Sequence, residues 1–314
     1  MKNNKKILVS GSIVYDRIMN FPGKFKEHIL PDKIHILNVS FTINKLKESF
    51  GGTGGNIAYN LALLQEQPVV LGVVGEDFLK YETWLKKYRI NIAKIKRYRD
   101  ELTASAYIMT DQDDNQITGF YPGPLDKEYC QVAKKIKDAK IAIVSPEAKD
   151  RMVEYTKIYK KLSIPYIFDP GQQIISFSKQ ELEQAIAGSK VLIGNDYEIQ
   201  LIIDKLKLRI DKLQKMTEIL VITKGAKGSD IYHKNKKIKI PAAKPKNTSD
   251  PTGAGDAYRA GLIKGLVNDW SLEKTGRLAS LVAVYTVEKY GTQTHKFSWA
   301  ELGKRYRENF GKNF

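Results

Sequence analysis

The chain of 314 residues is 42% hydrophobic and 28% charged, which is ordinary for a globular protein with one large α/β domain or two smaller ones. Its formal net charge is +17, from 52 Lys and Arg against 35 Asp and Glu. The basic residues are spread over the whole chain without a block of Lys and Arg interleaved with aromatic residues, which favours dispersed surface charge over a nucleic-acid footprint. This field would also attract an anionic small substrate such as a nucleoside triphosphate.

Several other classes of protein are disfavoured by single residue types. Cys130 is the only cysteine, so an internal disulfide is excluded and a reducing compartment is favoured. The four histidines show no metal-ligand spacing, and no apolar run is long enough to span a membrane. Residues 1–6 lead into a predicted strand instead of a signal-peptide apolar region, so we expect a cytoplasmic protein without a membrane partner.

The chain starts with a predicted buried strand at residues 6–10 (KILVS), followed by a loop that contains Ser12 and Asp16. Polar residues after such a strand tend to face the ligand crevice of an α/β sheet, although Asp16 is equally typical of a turn or a helix cap. Further on, the partial alternation of residues 34–43 (IHILNVSFTI) predicts a strand with one exposed face.

The next feature is a glycine cluster, residues 51–56 (GGTGGN), which runs into a helical apolar pattern. Its spacing matches neither the dinucleotide fingerprint GxGxxG nor the phosphate loop GxxxxGK(S/T). Glycines such as Gly52 let a ligand approach the backbone closely, and Asn56 offers both a donor and an acceptor. We therefore favour a binding role over the alternative, a flexible loop with a helix cap.

Residues 103–110 and 116–121 alternate around the polar stretch 111–115 (DQDDN), which predicts a β-hairpin. Together with the strand predicted at residues 34–43, this hairpin is expected to form a small antiparallel sheet beside the main domain. An exposed aromatic side chain on it could clamp a flat ligand, although most such residues belong to a core.

The remainder of the chain alternates predicted strands, at residues 141–145, 166–169, 191–194 and 219–223, with helical stretches. This order predicts a parallel sheet covered by helices on both faces. Polar residues gather at the carboxyl ends of these strands, which line one crevice in an open α/β sheet. They are Asp169, Gln172, Gln173, Asn195, Glu198, Thr223, Lys224 and Gly225.

Residues 250–256 (DPTGAGD) predict a loop that turns into a helix, because apolar residues recur at helical spacing from Ala257 onward. Glycines at a helix start present backbone N–H groups to an anion, and the helix dipole favours its binding. A carboxylate at such a place is explained if Asp256 takes a proton from the group that attacks a bound phosphate. The alternative is a first-turn acid that only stabilises the dipole.

Four motifs in this order resemble the signatures of the ribokinase-like (PfkB) carbohydrate and nucleoside kinases: GGTGGN, the NxxE motif NDYE at residues 195–198, TKGAKG at residues 223–228, and DPTGAGD. The stretches GSIVYD, FPGKF, LNVSF, FYPG, DPGQQ and GTQ are most similar to bacterial adenosine kinases. The resemblance is essentially full length. It implies a single kinase domain over residues 1–314, a three-layer α/β/α sandwich with a mostly parallel sheet, and a small β-sheet lid from residues of about 15–48 and 103–122.

The resemblance also implies an activity, the ATP-dependent phosphorylation of the ribose 5′-hydroxyl of adenosine to give AMP and ADP, as in purine salvage. Asp256 would be the general base, with Gly253, Ala254 and Gly255 as the anion hole, and Glu198 would hold Mg²⁺ through water. The residues implied to contact ATP are Asn195, Thr223, Lys224, Gly225, Ala226, Lys227 and Gly228. The residues implied to contact the nucleoside are Ser12, Asp16, Ser40, Gly52, Asn56, Tyr107, Phe120, Gln172 and Gln173.

Two departures from the pattern of bacterial adenosine kinases concern recognition of the base. Ile174, Ile175 and Ser176 follow the glutamine pair where bacterial adenosine kinases can carry an arginine, and Tyr107 stands in place of an expected phenylalanine. Another nucleoside, ribose or fructose therefore remains an alternative substrate, and a nucleic-acid-binding protein is an alternative of another class. A homodimer formed through the lid and a K⁺ site near Asp250 and Gly291 are implied at family level only.

Overall fold

The computed structural model describes residues 6–311 except residues 30, 128, 130–135 and 137, and it describes only the backbone of residues 31, 33 and 34. Cys130, on which the expected reducing compartment depends, and residues 1–5, on which the expected absence of a signal peptide depends, lie outside the described residues. The strands are β1 (Lys6–Ser10), β2 (Val14–Asn20), β3 (Lys45–Gly51), β4 (Pro68–Val74), β5 (Asn91–Arg97), β6 (Ser105–Thr110), β7 (Gln116–Tyr121), β8 (Ala139–Val144), β9 (Tyr166–Phe168), β10 (Val191–Asn195), β11 (Ile219–Thr223), β12 (Ser229–His233) and β13 (Lys236–Ile240). The helices are α1 (Thr53–Leu63), α2 (Leu79–Lys87), α3 (Lys149–Lys161), α4 (Lys179–Ile186), α5 (Asp196–Leu206), α6 (Ile210–Met216), α7 (Ala254–Val267), α8 (Leu272–Val287) and α9 (Trp299–Phe310).

A nine-stranded sheet in the order β13-β12-β11-β10-β9-β8-β1-β4-β5 forms the centre of the fold. Its neighbouring strands are parallel from β11 to β5, and β12 pairs antiparallel with both β11 and β13. The mostly parallel sheet predicted from the alternation of strands and helices is confirmed.

Helices cover both faces of this sheet. In β1, Ile7 and Val9 pack in one hydrophobic layer with α1, α7 and α8, whereas Leu8 packs in the other layer with α3, α4 and α5. Successive residues of a strand point to opposite faces, so this division shows a three-layer α/β/α sandwich, as predicted. Within the described residues, none of the helices combines the length and the apolar character needed to cross a membrane.

A second sheet of four strands, which we call the lid sheet, has the order β3-β2-β6-β7. β2 pairs antiparallel with β3 and parallel with β6, and β6 pairs antiparallel with β7. The hairpin predicted around residues 111–115 is confirmed as β6 and β7. The lid sheet is therefore mixed, although two of its three strand pairs are antiparallel as expected.

The strand predicted at residues 34–43 is wrong. Residues 31–36 form a 3-10 helix, residues 37–43 have no regular structure, and the strand that enters the lid sheet is β3. Phe41 packs in a local aromatic cluster, since its ring lies 4.8 Å from that of Phe21 and 5.2 Å from that of Phe25, whereas Ile36 and Leu37 are exposed. The alternation of apolar and polar residues in this segment therefore does not mark a strand with one buried face.

The contact between α7 and α8 gives a test of the packing. A Cβ added to Gly261 in α7 would lie 2.5 Å from the Cα of Ala279 in α8, whereas a Cβ at Gly303 in α9 meets nothing within 4 Å. We expect Gly261→Ala to lower the free energy of unfolding by about 1–3 kcal/mol through overpacking, and Gly303→Ala to raise it by about 0.5–1 kcal/mol through helix propensity. Denaturant unfolding of both variants measures this, and equal effects would contradict the packing.

Candidate active site

The strand order of the main sheet reverses beside β1, because the chain continues to β4 and β5 on one side and returns through β8 to β11 on the other. In open α/β sheets, the carboxyl ends of the strands at such a point form the ligand crevice. The start of α1 is fixed there, since the Thr53 amide donates to Ser12 Oγ at 3.1 Å. The Thr53 hydroxyl donates to the Pro146 carbonyl at 2.9 Å, which ties α1 to the segment after β8.

Two helices enter this crevice, and a glycine with positive φ precedes each. Gly52 before α1 has φ 82°, and a Cβ there would lie 2.5 Å from the Ser12 carbonyl oxygen. Gly253 before α7 has φ 78°, and a Cβ there would lie 2.9 Å from Thr292 Cγ2. The first N–H groups of a helix have no partner within it and carry the positive end of its dipole, so the start of α7 is suited to bind an anion.

Asp256 in the first turn of α7 is held by the first turn of α1. Asn56 Nδ2 donates to Asp256 Oδ2 at 2.8 Å. Gln293 Nε2 donates to Asn56 Oδ1 at 3.0 Å, and Trp84 Nε1 donates to Gln293 Oε1 at 3.0 Å. This chain of hydrogen bonds determines which end of each amide faces its neighbour, so Asn56 presents its NH₂ group to the carboxylate.

Two clefts meet at Asp256. The lid-side cleft, of about 340 Å³, includes Asp16, Ala106 and Phe120 of the lid sheet in its lining. The α5-side cleft, of about 520 Å³, is lined among others by Asn195, Glu198 and Thr223. The residues that line both clefts are Thr53, Pro146, Gln172, Gly253 and Asp256. A molecule in either cleft therefore reaches the same carboxylate.

Burial raises the pKa of several carboxyl groups that line the clefts. Burial raises the pKa of Asp256 to about 6, although the charge of Arg259 and the bond from Asn56 act in the opposite direction. Burial, and then the charge of Asp250, raise the pKa of Asp16 to about 6. Burial also raises the pKa of Glu198. Shifted carboxyl groups gathered in a cleft are typical of sites that transfer protons or bind cations.

The structure brings most of the sequence-predicted site residues to these clefts. The lid-side cleft is lined by Ser12, Asp16, Gly52, Asn56, Phe120, Gln172 and Gln173. The α5-side cleft is lined by Asn195, Glu198, Thr223, Gly225, Gly253 and Gly255. Ala254 is the first residue of α7, between the two glycines. The carboxyl ends of the parallel strands account for about half of this set, whereas Asp16, predicted in the loop after β1, lies in the lid strand β2.

Two predicted nucleoside contacts lie away from the clefts. Ser40 is exposed in the segment without regular structure and lines neither cleft. In β6, Ala106 faces the lid-side cleft, so Tyr107 points to the opposite face, where Arg17 Nη1 donates to its hydroxyl at 2.6 Å. In the lid sheet, one position along the strand decides whether a side chain reaches the cleft.

The loop after β11 reaches the α5-side cleft through Thr223 and Gly225 only. Lys224 Nζ forms an ion pair with Asp230 at 2.5 Å, and Ala226 and Lys227 lie in an exposed turn. Gly228 has φ 84°, and a Cβ there would lie 2.1 Å from the Ile240 carbonyl oxygen. Its glycine is therefore explained by the close approach of β13.

Several residues of the site were missed by the sequence argument. Pro146 and Glu147 follow β8 and line the lid-side cleft, so the rule on strand ends that found Asn195 and Thr223 would have found them. Gln293 belongs to the family-like stretch GTQ, which assigns it no role, and no motif in the sequence contains Trp84. Their hydrogen bonds join residues that are more than 200 positions apart in the chain, so no local pattern in the sequence indicates them.

An anion-binding helix start, a carboxylate at the junction of two clefts and this α/β sandwich with a lid sheet define the class of ribokinase-like kinases. The model of the PfkB family, "pfkB family carbohydrate kinase", matches residues 5–299. The chain is 34% identical to a nucleoside kinase of Methanocaldococcus jannaschii, with 97% of this chain and 98% of that protein covered. This chain belongs to the PfkB family.

Solved structures agree with this assignment. The nucleoside kinase of Burkholderia thailandensis in complex with inosine is 36% identical, with a TM-score of 0.87 over 98% of this chain and 99% of that one. Its complex with ADP and inosine gives 37% identity and a TM-score of 0.85, over 98% of this chain and 97% of that one. These relatives are named as nucleoside kinases, not specifically as adenosine kinases.

The raised pKa of Asp256 predicts a gain in stability when its charge is removed. The folded-state pKa of about 6 lies above the ordinary value of 3.8. Protonation of Asp256 therefore contributes fully to folding stability below pH 3.8, and this contribution is lost as the pH rises through 6. We expect Asp256→Asn to raise the free energy of unfolding by about 1–3 kcal/mol near neutral pH, and by less at about pH 5.

The matched control is Asp269→Asn, which removes a carboxylate whose side chain is 88% exposed. Its effect should stay within about 0.5 kcal/mol at both pH values. Thermal or denaturant unfolding at the two pH values measures both variants. A destabilised Asp256→Asn protein near neutral pH would contradict the electrostatic argument.

Proposed function

We propose that this chain is an ATP-dependent nucleoside kinase that transfers the γ-phosphoryl group of ATP to the ribose 5′-hydroxyl. The observation that carries the proposal is the position of Asp256, which lines both clefts beside an anion-binding helix start. A base at the junction of two clefts can take a proton from an acceptor in one while the donor phosphate lies in the other. Relatives of this family that are named nucleoside kinases support the same substrate class.

The lid-side cleft suits the nucleoside. We assign the ribose hydroxyls to Asp16 and Asn56, because both side chains line this cleft and a carboxylate accepts hydrogen bonds from hydroxyl groups. The base would lie between Phe120 and the pair Gln172 and Gln173, where an aromatic face and two amides are available. Ser12 and Gly52 bring backbone and hydroxyl groups to the same cleft.

The α5-side cleft suits ATP. The phosphates would lie at the start of α7 against Gly253 and Gly255, and Thr223 and Gly225 would contact the nucleotide. Asn195 and Glu198 form a reciprocal pair at the start of α5, since the Asn195 amide donates to Glu198 Oε2 at 2.7 Å and the Glu198 amide donates to Asn195 Oδ1 at 2.8 Å. This pairing holds the Glu198 carboxylate at the cleft.

Mg²⁺ fits the side chains of this cleft. Within the described part of the chain, no group of three or more His, Cys, Asp and Glu side chains could hold a metal ion. Mg²⁺ commonly keeps several waters and binds through one or two carboxylates and the substrate phosphates. Glu198 would hold it through water, and when bound the ion neutralises charge on the phosphates. Dependence on K⁺ and a homodimer formed through the lid sheet stay predictions.

In the proposed reaction, ionised Asp256 accepts the proton of the 5′-hydroxyl as the ribose oxygen attacks the γ-phosphorus. Asn56 keeps the carboxylate oriented through its NH₂ group. The Ala254 N–H donates to the Pro251 carbonyl at 3.2 Å. The N–H groups of Gly255 and Asp256 would face the charge that develops on the phosphoryl oxygens, as the backbone donors of an anion hole do. Residues of the lid sheet at the lid-side cleft would exclude water that otherwise hydrolyses ATP.

Adenosine is the first substrate we propose, and inosine is the second because the Burkholderia enzyme was solved with it. We expect ADP release with ATP and Mg²⁺ to be fast with one of these purine nucleosides and slow with ribose or fructose, since free sugars leave Phe120 and the glutamine pair without a base. A panel of adenosine, inosine, guanosine, cytidine, ribose and fructose measures this. Preference for a free sugar, or no turnover with any of the six, would contradict the nucleoside assignment.

The role of Asp256 predicts a loss of rate without a loss of ATP binding. Asp256→Asn keeps the acceptor for Asn56 but cannot take a proton, so kcat should fall by about 10²–10⁴-fold while the Kd of ATP changes by less than about threefold. In the native enzyme, kcat/KM should rise with pH up to and through about 6, the pKa of Asp256. Unchanged turnover in this variant, measured beside Asp269→Asn as control, would contradict the role of base.

A further inference from the structure

Arg259 is a buried cation that the assignments above leave without a role. It lies in α7, its exposed fraction is 8%, and it nevertheless contributes to the lining of the α5-side cleft. Among the described residues that line the two clefts, it is the only basic side chain. A chain with a net charge of +17 thus places a single fixed cation at the cleft proposed for ATP.

The guanidinium of Arg259 is held in one orientation by Asp169. Nη2 donates to Asp169 Oδ1 at 2.5 Å, and Nε donates to Asp169 Oδ2. Asp169 is 1% exposed and directly follows β9, so its position is set by the main sheet. A bidentate pair between a planar guanidinium and a carboxylate fixes direction as well as distance. The third nitrogen, Nη1, therefore has a defined place.

Nη1 lies beside the start of α7. Within the part of the chain that the structure describes, it takes part in no hydrogen bond. A Cβ added to Gly255 would lie 2.8 Å from Nη1, so the glycine leaves room for the guanidinium. Gly255 and Asp256 line the same cleft as Arg259. The N–H groups of Nη1 are thus available next to the helix start that would bind the transferred phosphate.

Another buried arginine shows what a purely structural pair looks like in this fold. Arg305 is 5% exposed and donates to Glu288 through Nη1, at 2.8 Å, and through Nη2. Its Nη2 also donates to the Lys244 carbonyl at 3.0 Å, and it lines neither cleft. Both terminal nitrogens of Arg305 are used by the protein, whereas Nη1 of Arg259 is not.

We propose that Arg259 is a catalytic residue that donates an Nη1 hydrogen bond to an oxygen of the phosphoryl group in transfer, with Asp169 as its positioning residue. The proposal rests on the kinase function proposed above. Negative charge spreads over the phosphoryl oxygens during transfer, and a preorganised cationic donor stabilises it. No bond to Arg259 forms or breaks: Asp256 takes the hydroxyl proton, the new O–P bond forms, and ADP leaves with the electrons of the old one.

The first test compares Arg259→Lys with the matched control Arg305→Lys. Both keep the charge and lose the planar fork, so both should lower the melting temperature. Arg259→Lys should also lower kcat by about 10²–10³-fold, the typical effect of removing one transition-state donor, with the nucleoside KM nearly unchanged. Arg305→Lys should keep kcat within about threefold. Equal kcat values for the two variants would reduce Arg259 to a structural role.

A second readout does not depend on the acceptor substrate. Aluminium fluoride with ADP and Mg²⁺ mimics the phosphoryl group in transfer, so it should raise the melting temperature of the native protein beyond ADP and Mg²⁺ alone. This extra shift should be lost in Arg259→Lys and kept in Arg305→Lys, while the shift by ADP and Mg²⁺ alone is kept in both. Absence of the extra shift in the native protein, or its survival in Arg259→Lys, would overturn the proposal.

The two readouts separate this inference from the proposed function. If no nucleoside is turned over but the aluminium fluoride shift depends on Arg259, the donor assignment stands and the acceptor must be sought elsewhere. If Arg259→Lys does not fold, Asp169→Asn tests the same donor, because Asp169 holds the Arg259 guanidinium in place. This variant keeps the shape of the Asp169 side chain and removes its negative charge. We expect it to lose the aluminium fluoride shift, and a full shift in that variant would overturn the proposal.

Discussion

The hydrogen bond from Asn56 to Asp256 joins two helix starts that lie 200 residues apart in the chain. It exists because α1 and α7 pack on the same face of the main sheet, with Ile57 and Leu61 of one in the same hydrophobic layer as Ala257 and Ala260 of the other. That packing brings a carboxylate and an anion-binding helix start into one crevice. Gln293 then decides the direction of the bond, since its donation to the Asn56 oxygen leaves only the NH₂ group for Asp256.

The charges around this bond explain why the site opposes folding stability. Burial raises the pKa of both Asp16 and Asp256 to about 6, so near neutral pH the fold carries ionised carboxylates that it does not fully compensate. Arg259 is engaged by Asp169 through Nε and Nη2, and none of the lysines whose side chains the structure describes lines either cleft. A substrate hydroxyl and a magnesium-bound phosphate would supply the compensation. The carboxylates that destabilise the free protein are thus the same groups that would bind the substrate hydroxyl and the magnesium-bound phosphate.

The sequence predicted the parts of this structure that depend on local pattern. Buried apolar runs gave the strands of the main sheet, and the polar residues at their ends, such as Asn195 and Thr223, lie at the clefts as strand geometry requires. The alternation at residues 34–43 was misleading, since Phe41 packs with Phe21 and Phe25 in a local cluster while Ile36 and Leu37 are exposed. Tyr107 shows a second limit, since the face a side chain takes depends on the register between β2 and β6.

Long-range contacts set the remaining part of the site. Trp84, Gln293 and Asn56 lie in α2, in the segment after α8 and in α1, and nothing in their own surroundings in the sequence says that their amide and indole groups meet. The ion pair of Arg259 with Asp169 spans 90 residues and joins α7 to the end of β9. Such contacts follow from the packing of the whole sheet, so they are available only once the fold is known.

The two walls of the lid-side cleft belong to different parts of the fold, and this separates chemistry from substrate choice. Asn56 and Asp256 lie on helices packed against the main sheet and Gly253 directly precedes one of them, whereas Phe120 lies on β7 at the edge of the lid sheet and is 55% exposed. An aromatic ring exposed at the rim of a cleft gains buried area when a flat ligand covers it. A base would therefore add binding energy at the lid sheet while the sugar and phosphate meet the same rigid groups. Substrates that share a ribose would then be distinguished by the contacts that their bases make with Phe120, Gln172 and Gln173.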